Sequence, residues 1–241
     1  MRRNGGGGQQ PQLEAALTRA REGLLKHQRA DGHWCFEFEA DCTISAEYVL
    51  MMHYMDEVDA ELEQRIGRYL RAHQMDNGGW PLYPGGTLNI SCTVKCYYAL
   101  KLIGDMPEAK PMRRAREAIL SAGGAARANV FTRIMLAQFR QIPWHGVPFM
   151  PVELVLVPHW FPFHFLKVSY WSRTVMMPLL ILVSLRRQAR NPRGVAIQEL
   201  FLTPPERERH WFRIRSLRGG ILLYLERAAR HGEAIIPWGF R

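Results

Sequence analysis

Few side chains in this 241-residue chain are placed for chemistry. His159 and His164, with Trp160 beside the first, invite a metal reading. Their spacing fits one helix face poorly, the segment is broken by prolines, and no further ligand is announced, so no metal is expected. The four cysteines fall as Cys35-x6-Cys42 and Cys92-x3-Cys96, without a C-x-x-C pair. They read as small apolar core residues of a reducing compartment. Of the six aspartates, the nearest pair is Asp56-Glu-Val-Asp59, which reads as a solvated loop between two helices. Arg133 lies in an apolar helical stretch. A buried arginine needs a partner, so it is expected to brace the fold. Trp171 offers an indole face that could stabilise a cation or pack in a core.

Composition narrows the classes further. Hydrophobic content of 47% suits a globular domain with one large core or two small ones. The longest apolar run, Thr174 to Leu185, holds a proline and falls short of the ~20 residues that span a bilayer. Residues 1–12 carry Arg2, Arg3 and a glycine tract without an apolar signal-peptide core, and read as a disordered arm. A cytoplasmic chain without a transmembrane helix is the expectation. The net charge of +10 is concentrated at one end: residues 186–241 hold 12 arginines, no lysine and five acids. Such an end could meet an anionic membrane. No nucleic-acid-binding motif accompanies it.

Two kinds of helix must position these residues. Residues 59–73 put Leu62, Ile66, Tyr69 and Leu70 on one face and Glu61, Arg65, Arg68 and Arg71 opposite. Residues 112–120 repeat that pattern. Residues 43–55, 88–103 and 130–142 are apolar nearly all round, as helices buried on all sides are. Asp41 and Thr43 suit the cap of the first of these. Outer and inner helices therefore alternate, and the expected fold is an all-α, α/α barrel. Prolines at 148, 151, 158 and 162 forbid a regular helix and leave a long apolar loop, with a short extended stretch allowed over 152–157. A helix resumes over 167–187 with Pro178 as a kink. Residues 191–209 read as a polar connection, and 219–230 as a final helix.

The turns between helices carry a repeat. Gln28-Arg-Ala-Asp-Gly32-His-Trp34 and Gln74-Met-Asp-Asn-Gly78-Gly-Trp80 share the pattern Q-x-x-x-G-x-W, 46 residues apart. A helix ends near the Gln, the Gly permits the turn, and the Trp supplies a large ring with one N–H donor. The Gln amide, lying on that ring, would join the end of one helix to the start of the next.

The pattern is the QW motif of class II triterpene cyclases. Ala40-Asp-Cys-Thr-Ile-Ser-Ala-Glu-Tyr-Val-Leu50, Trp80-Pro-Leu-Tyr-Pro-Gly-Gly86, Asn129-Val-Phe-Thr-Arg133 and Val168-Ser-Tyr-Trp-Ser-Arg173 also resemble the N-terminal part of a bacterial squalene–hopene cyclase. The resemblance runs from about Leu13 to Arg241. It implies an N-terminal barrel domain over 13–241, truncated before the catalytic domain. It implies an isomerase that cyclises squalene or a similar polyprene to hopene, in hopanoid biosynthesis, without cofactor or metal. Such a reaction needs an acid to protonate an alkene, aromatic faces for the migrating cation, and a dry cavity. The family's acid belongs to an Asp-x-Asp-Asp motif that this sequence lacks, so no catalytic residue is expected and the chain alone should be inactive. Trp171 matches a cavity-lining Trp of the family. Gln28, Gly32, Trp34, Gln74, Gly78 and Trp80 should be structural. The resemblance also implies a monotopic place on the cytoplasmic side of the inner membrane, with Ile221, Leu222 and Leu225 facing lipid, and it allows a homodimer of the full-length enzyme. A non-catalytic helical module that binds isoprenoid or a partner protein is the alternative.

Overall fold

A computed structural model of the chain describes residues 9–35, 41–160 and 164–212. The first compact unit, within residues 1–39, contains helix α1 (Gln9–Lys26) and the turn that follows it. This helix begins inside the segment expected to be an arm, because Gln9 to Gln12 have joined its first turn. Residues 1–8 lie outside the described residues.

The second unit, residues 40–241, contains six further α-helices among the described residues. They are α2 (Cys42–Met55), α3 (Ala60–Ala72), α4 (Ile90–Ile103), α5 (Lys110–Ser121), α6 (Val130–Gln138) and α7 (Tyr170–Leu185). Single 3-10 turns punctuate the connections, and no strand occurs among the described residues. The fold is all-α, with the inner and outer helices of an α/α barrel.

Short polar side chains set where the helices start. Each inner helix follows an Asx cap: Asp41 accepts from the Thr43 amide at 2.7 Å, Asn89 from Cys92 at 3.0 Å and Asn129 from Thr132 at 2.9 Å. Asp59 caps outer helix α3 through the Glu61 and Leu62 amides. Such caps satisfy donors that have no intrahelical partner. The Asp56–Asp59 stretch is exposed as expected, yet it also ends α2 and starts α3.

Helix α4 is the centre of the unit. Twelve of its residues are buried, and it packs against α2, α3, α5 and α6. The wet-faced helices α3 and α5 lie outside, burying Leu70 and Met112, Ala115 and Ile119. The expectation that α2 is buried on all sides fails. Ile44, Tyr48, Met51 and Met55, which share a stripe, are about half exposed. Among the described elements only α3 and α4 pack extensively on α2, and they leave this stripe uncovered. Polar pairs tie inner to outer helices. His53 of α2 and Glu63 of α3 are both buried, with Nε2 and Oε1 2.5 Å apart.

Two stretches depart from their expected form. Residues 152–156 close into a 3-10 helix packed on α7 and are not extended. The expected polar connection over 191–209 buries Ile197 and Leu200, with Ala189 buried just before it, and lies along the outside of α4 as a strap. Lys101 Nζ donates to Ala196 O at 2.5 Å and to the Glu199 carboxylate, and Tyr97 Oη donates to Glu199 at 2.9 Å. Gln141 donates to Val195 O and accepts from the Ile197 amide. Burial works to raise the Glu199 pKa. Donation from Lys101, its own backbone amide and Tyr97 overcomes this and holds the carboxyl below its usual range.

A depressed carboxylate stabilises the fold above the pKa of the unfolded chain and loses that contribution as pH falls through the folded value. Urea melts of the wild type should therefore weaken below about pH 4, and the Glu199-dependent part of that loss should be missing in Glu199→Gln. Identical acid profiles for the two proteins would remove this strap from the acid response.

Candidate functional site: the paired turns and the apolar face of α7

The second Q-x-x-x-G-x-W turn starts from the end of α3. The Trp80 ring is fully buried, and its indole N–H donates to Leu70 O at 2.8 Å. That carbonyl belongs to the last turn of α3, where the following amides of His73 and Gln74 donate to Tyr69 O and Arg71 O instead. Gln74 Nε2 donates to Gly78 O at 2.8 Å and to Pro111 O at 2.9 Å. One amide thus closes its own turn and holds the first turn of the next outer helix, α5. The joint expected from the Gln runs through these carbonyls. Arg114 of α5 clasps the turn from the other side, donating to Met75 O at 2.9 Å and to Asp76 O.

Gly78 is required twice. Its φ is 86°, a left-handed value, and a Cβ there would lie 2.4 Å from Arg114 O. Backbone of the turn and backbone of α5 meet with no room for a side chain.

The first turn repeats this hydrogen-bond set by position. Trp34 Nε1 donates to Leu24 O at 2.7 Å, ten residues earlier, as Trp80 does to Leu70. Gln28 Nε2 donates to Gly32 O at 2.7 Å. The Arg29 amide donates to His33 O, and the Gly32 amide to Arg29 O. Met75 with Gly79, and Gly78 with Met75, make the corresponding pairs. Trp34 differs in its setting, being 44% exposed.

A third, degenerate turn was missed from sequence. Gly124 lies 46 residues after Gly78, as Gly78 lies 46 after Gly32. Its φ is also left-handed, at 78°, but Leu120 and Ala126 stand where Gln and Trp would be. A Cβ at Gly124 would meet Leu200 O and Leu202 N, each at 3.2 Å. Strap backbone therefore lies against Gly124 as α5 backbone lies against Gly78. The signal was available as Gly123-Gly124 at the repeat period.

Arg133 braces the fold, as its helix position required. It is buried on α6, and Nη1 donates to Gly146 O at 2.9 Å and Trp211 O at 2.8 Å. Its guanidinium carbon lies 4.8 Å from the centre of the Phe212 ring. Burial pushes its pKa below the usual arginine value. Two distant loops are thus pinned at one cation.

The apolar face of α7 has the opposite character. Ser169 caps the helix and Pro178 lies inside it, yet Leu180 is its only buried side chain. Trp171 is 77% exposed, and Val175, Ile181 and Leu185 follow it down the helix, also exposed. Leu156, Trp160 and Leu166 of the preceding loop are exposed as well. No charged side chain lies between Arg173 and Arg186. An exposed face this apolar is a surface for an apolar ligand or another chain segment.

The metal candidates behave otherwise. The His159 and His164 ring centres are 4.9 Å apart, but His164 Nδ1 is engaged by the Leu166 amide, which donates to it at 3.0 Å. No three His, Cys, Asp or Glu side chains converge as ligands among the described residues. Cys42, Cys92 and Cys96 are buried as expected, whereas Cys35 is exposed. Ile221, Leu222 and Leu225 lie outside the described residues. No helix among the described residues is long and apolar enough to cross a membrane.

Alternating inner and outer helices, Trp-capped turns and an apolar face on α7 are the features of a helical terpene-cyclase class of domain. The match of residues 17–241 to the squalene-hopene cyclase N-terminal domain agrees, and the chain belongs to the squalene-hopene cyclase family. It is 56% identical over 191 residues to a squalene–hopene cyclase of Zymomonas mobilis, covering 79% of this chain and 29% of that protein. A squalene–hopene cyclase of Bradyrhizobium diazoefficiens is 54% identical over 194 residues, covering 80% and 29%. A squalene-hopene cyclase of Schizosaccharomyces japonicus is 47% identical over 229 residues, covering 94% and 35%. The chain thus spans about a third of the length of these relatives.

The two tryptophans should differ in energetic weight. Trp80→Ala should cost about 3–5 kcal/mol, since it empties a buried site and leaves Leu70 O without its donor. Trp34→Ala should cost clearly less, because its ring is partly solvated. Denaturant melts read both. Equal small losses, under about 1 kcal/mol, would show that the turn is no staple.

Proposed function

We propose that this chain serves as the N-terminal segment of an enzyme that cyclises squalene, or a similar polyprene, to a hopene-type product. The observation that carries the reading is the family match of residues 17–241, together with relatives of known cyclase name at about half identity. In this reading the α7 face contributes an apolar wall to the substrate cavity, with Trp171 presenting its ring to the polyprene or its cation. An uncharged face suits the task, because the carbocation must not meet water or a nucleophile. In this reading Gln28, Gly32, Trp34, Gln74, Gly78 and Trp80 serve the fold and do not touch substrate. The proton donor comes from elsewhere, since the Asp-x-Asp-Asp motif is absent from the sequence.

The same reading includes a peripheral place on the membrane, where such a substrate dissolves. The Arg-rich 186–241 stretch supports it by attraction to anionic lipid, and Ile221, Leu222 and Leu225 supply apolar contact. Self-association of the complete enzyme is compatible with this arrangement.

Purified chain with detergent-dispersed squalene should give no hopene by gas chromatography. Adding the C-terminal two-thirds of the Zymomonas mobilis relative should restore product, and Trp171→Ala should lower that yield while complex formation persists. Hopene from the chain alone would contradict the division of labour. A formed complex with an unchanged Trp171→Ala yield would remove Trp171 from the cavity.

A further inference from the structure

Two apolar faces of the second unit stand open: the stripe of α2, and the loop before α7 with the start of that helix. In the loop, Leu156 is 82% exposed, Trp160 is 77% exposed, and Leu166 stands out beyond them. Tyr170 and Trp171 continue the exposed surface onto α7. The Val152–Leu156 turn packs on α7, so loop and helix lie side by side. Apolar surface gathered in this way marks a contact with a partner or a membrane.

Charge separates the two faces. Exposed Asp56 and Glu57 end the α2 stripe, and Glu47, half exposed, lies along that helix. Between Glu153 and Glu199 the sequence holds no acid and six basic residues, Lys167, Arg173, Arg186, Arg187, Arg190 and Arg193. Asp56 at 3.3 Å from Arg190 and Glu63 at 4.0 Å from Arg193 offset only part of that charge. Lys167 is exposed directly after Leu166, and Arg186 shares a small cleft with Met150 and Pro151, which lead into the loop. An anionic surface would repel the first face and attract the second. The loop backbone also suits an apolar medium, where an unpaired amide is costly. Pro151 and Pro158 carry no amide, and residues 152–156 close into a 3-10 helix. Buried His164 receives the Leu166 amide at Nδ1, 3.0 Å away, and the Lys167 amide at its carbonyl, 2.9 Å away. Phe165 O receives the Val168 amide at 3.2 Å. Leu166 thus stands out from a turn whose amides are engaged.

We propose that the loop before α7 is a lipid-inserting surface, with Leu156, Trp160 and Leu166 seated in an anionic bilayer at the boundary of headgroups and acyl chains. The proposal rests on the peripheral membrane placement above and adds an anchor separate from Ile221, Leu222 and Leu225. An indole ring suits that boundary, because it is apolar in body and carries one N–H donor. Lys167 lays its stem on the apolar surface and extends its ammonium to lipid phosphate, and Arg186 adds a second cation near the same loop. Tyr170 and Trp171 come next along the surface. A polyprene dissolved among the acyl chains would therefore leave them beside the α7 face assigned to the substrate cavity.

The full chain is mixed with vesicles of equal parts phosphatidylglycerol and phosphatidylcholine whose acyl chains carry bromine, which quenches tryptophan fluorescence on contact. Quenching is expected in the wild type. It should fall in Trp160→Phe, which keeps an apolar ring and hence the binding. By co-sedimentation, the joint variant Leu156→Asp and Leu166→Asp should bind at least about tenfold more weakly. Met51→Asp, on the open stripe of α2, should bind as the wild type does. All three positions are exposed, and circular dichroism should show unchanged helix content. Bound chain with equal quenching in the wild type and Trp160→Phe would overturn the loop as an anchor and leave the peripheral placement standing. No binding to these vesicles would overturn both. The rival occupant is the rest of the enzyme, and adding the C-terminal two-thirds of the Zymomonas mobilis relative tests it. Quenching should persist in that complex, and its loss on complex formation would overturn the lipid contact.

Discussion

The hydrogen bond from the Trp80 indole to Leu70 O fixes the second unit. An α-helix ends with carbonyls that no later amide can reach, and burying one without a donor costs roughly 1–3 kcal/mol. Here the donor comes from a ring that is itself fully buried. End of helix, turn and hydrophobic anchor are one object. Because the same residue performs both tasks, the outer helix cannot slide along its axis without unmaking the core contact. The Gln74 amide then passes this order on, from the turn of α3 to the first turn of α5.

Around that joint, charge is spent where helices need registration. Lys95 and Glu47 link α4 to α2, Arg71 and Asp105 link the end of α3 to the loop after α4, and His53 and Glu63 link α2 to α3. Each joins elements that are neighbours in the barrel wall. Only in the His53–Glu63 pair are both side chains buried, so there the loss of either partner leaves the other without solvent; Glu47 and Arg71 remain partly solvated. Arg133 links loops likewise, with carbonyl oxygens in place of a carboxylate.

Helix order and alternation were legible because hydrophobic periodicity distinguishes a one-faced helix from one buried all round. The turns were legible because Gln, Gly and Trp recur at fixed spacing. Other features had no such signal. The strap over 189–201 is interrupted by polar residues, but Ala189, Ile197 and Leu200 are buried, and Val195 and Phe201 pack against the core beside them. Their contacts with α4 and α6 are long-range and leave no period in the sequence. The open stripe of α2 was read as core, since periodicity reports an apolar surface and cannot report whether a neighbour covers it. Trp171 shows the same limit: its character was plain, while its exposure depended on what surrounds α7. The third turn, at Gly124, was hidden because only its glycine survives.

The central claim is that the indole N–H of Trp80 holds Leu70 O, a carbonyl of the last turn of α3, within the closed core. Hydrogen exchange at that single N–H, followed by nuclear magnetic resonance on the chain with 15N-labelled tryptophan, tests it most directly. The account predicts exchange governed by global unfolding, with protection matching that of the slowest α4 amides. Exchange of the Trp80 indole within seconds, while those amides remain protected, would contradict it.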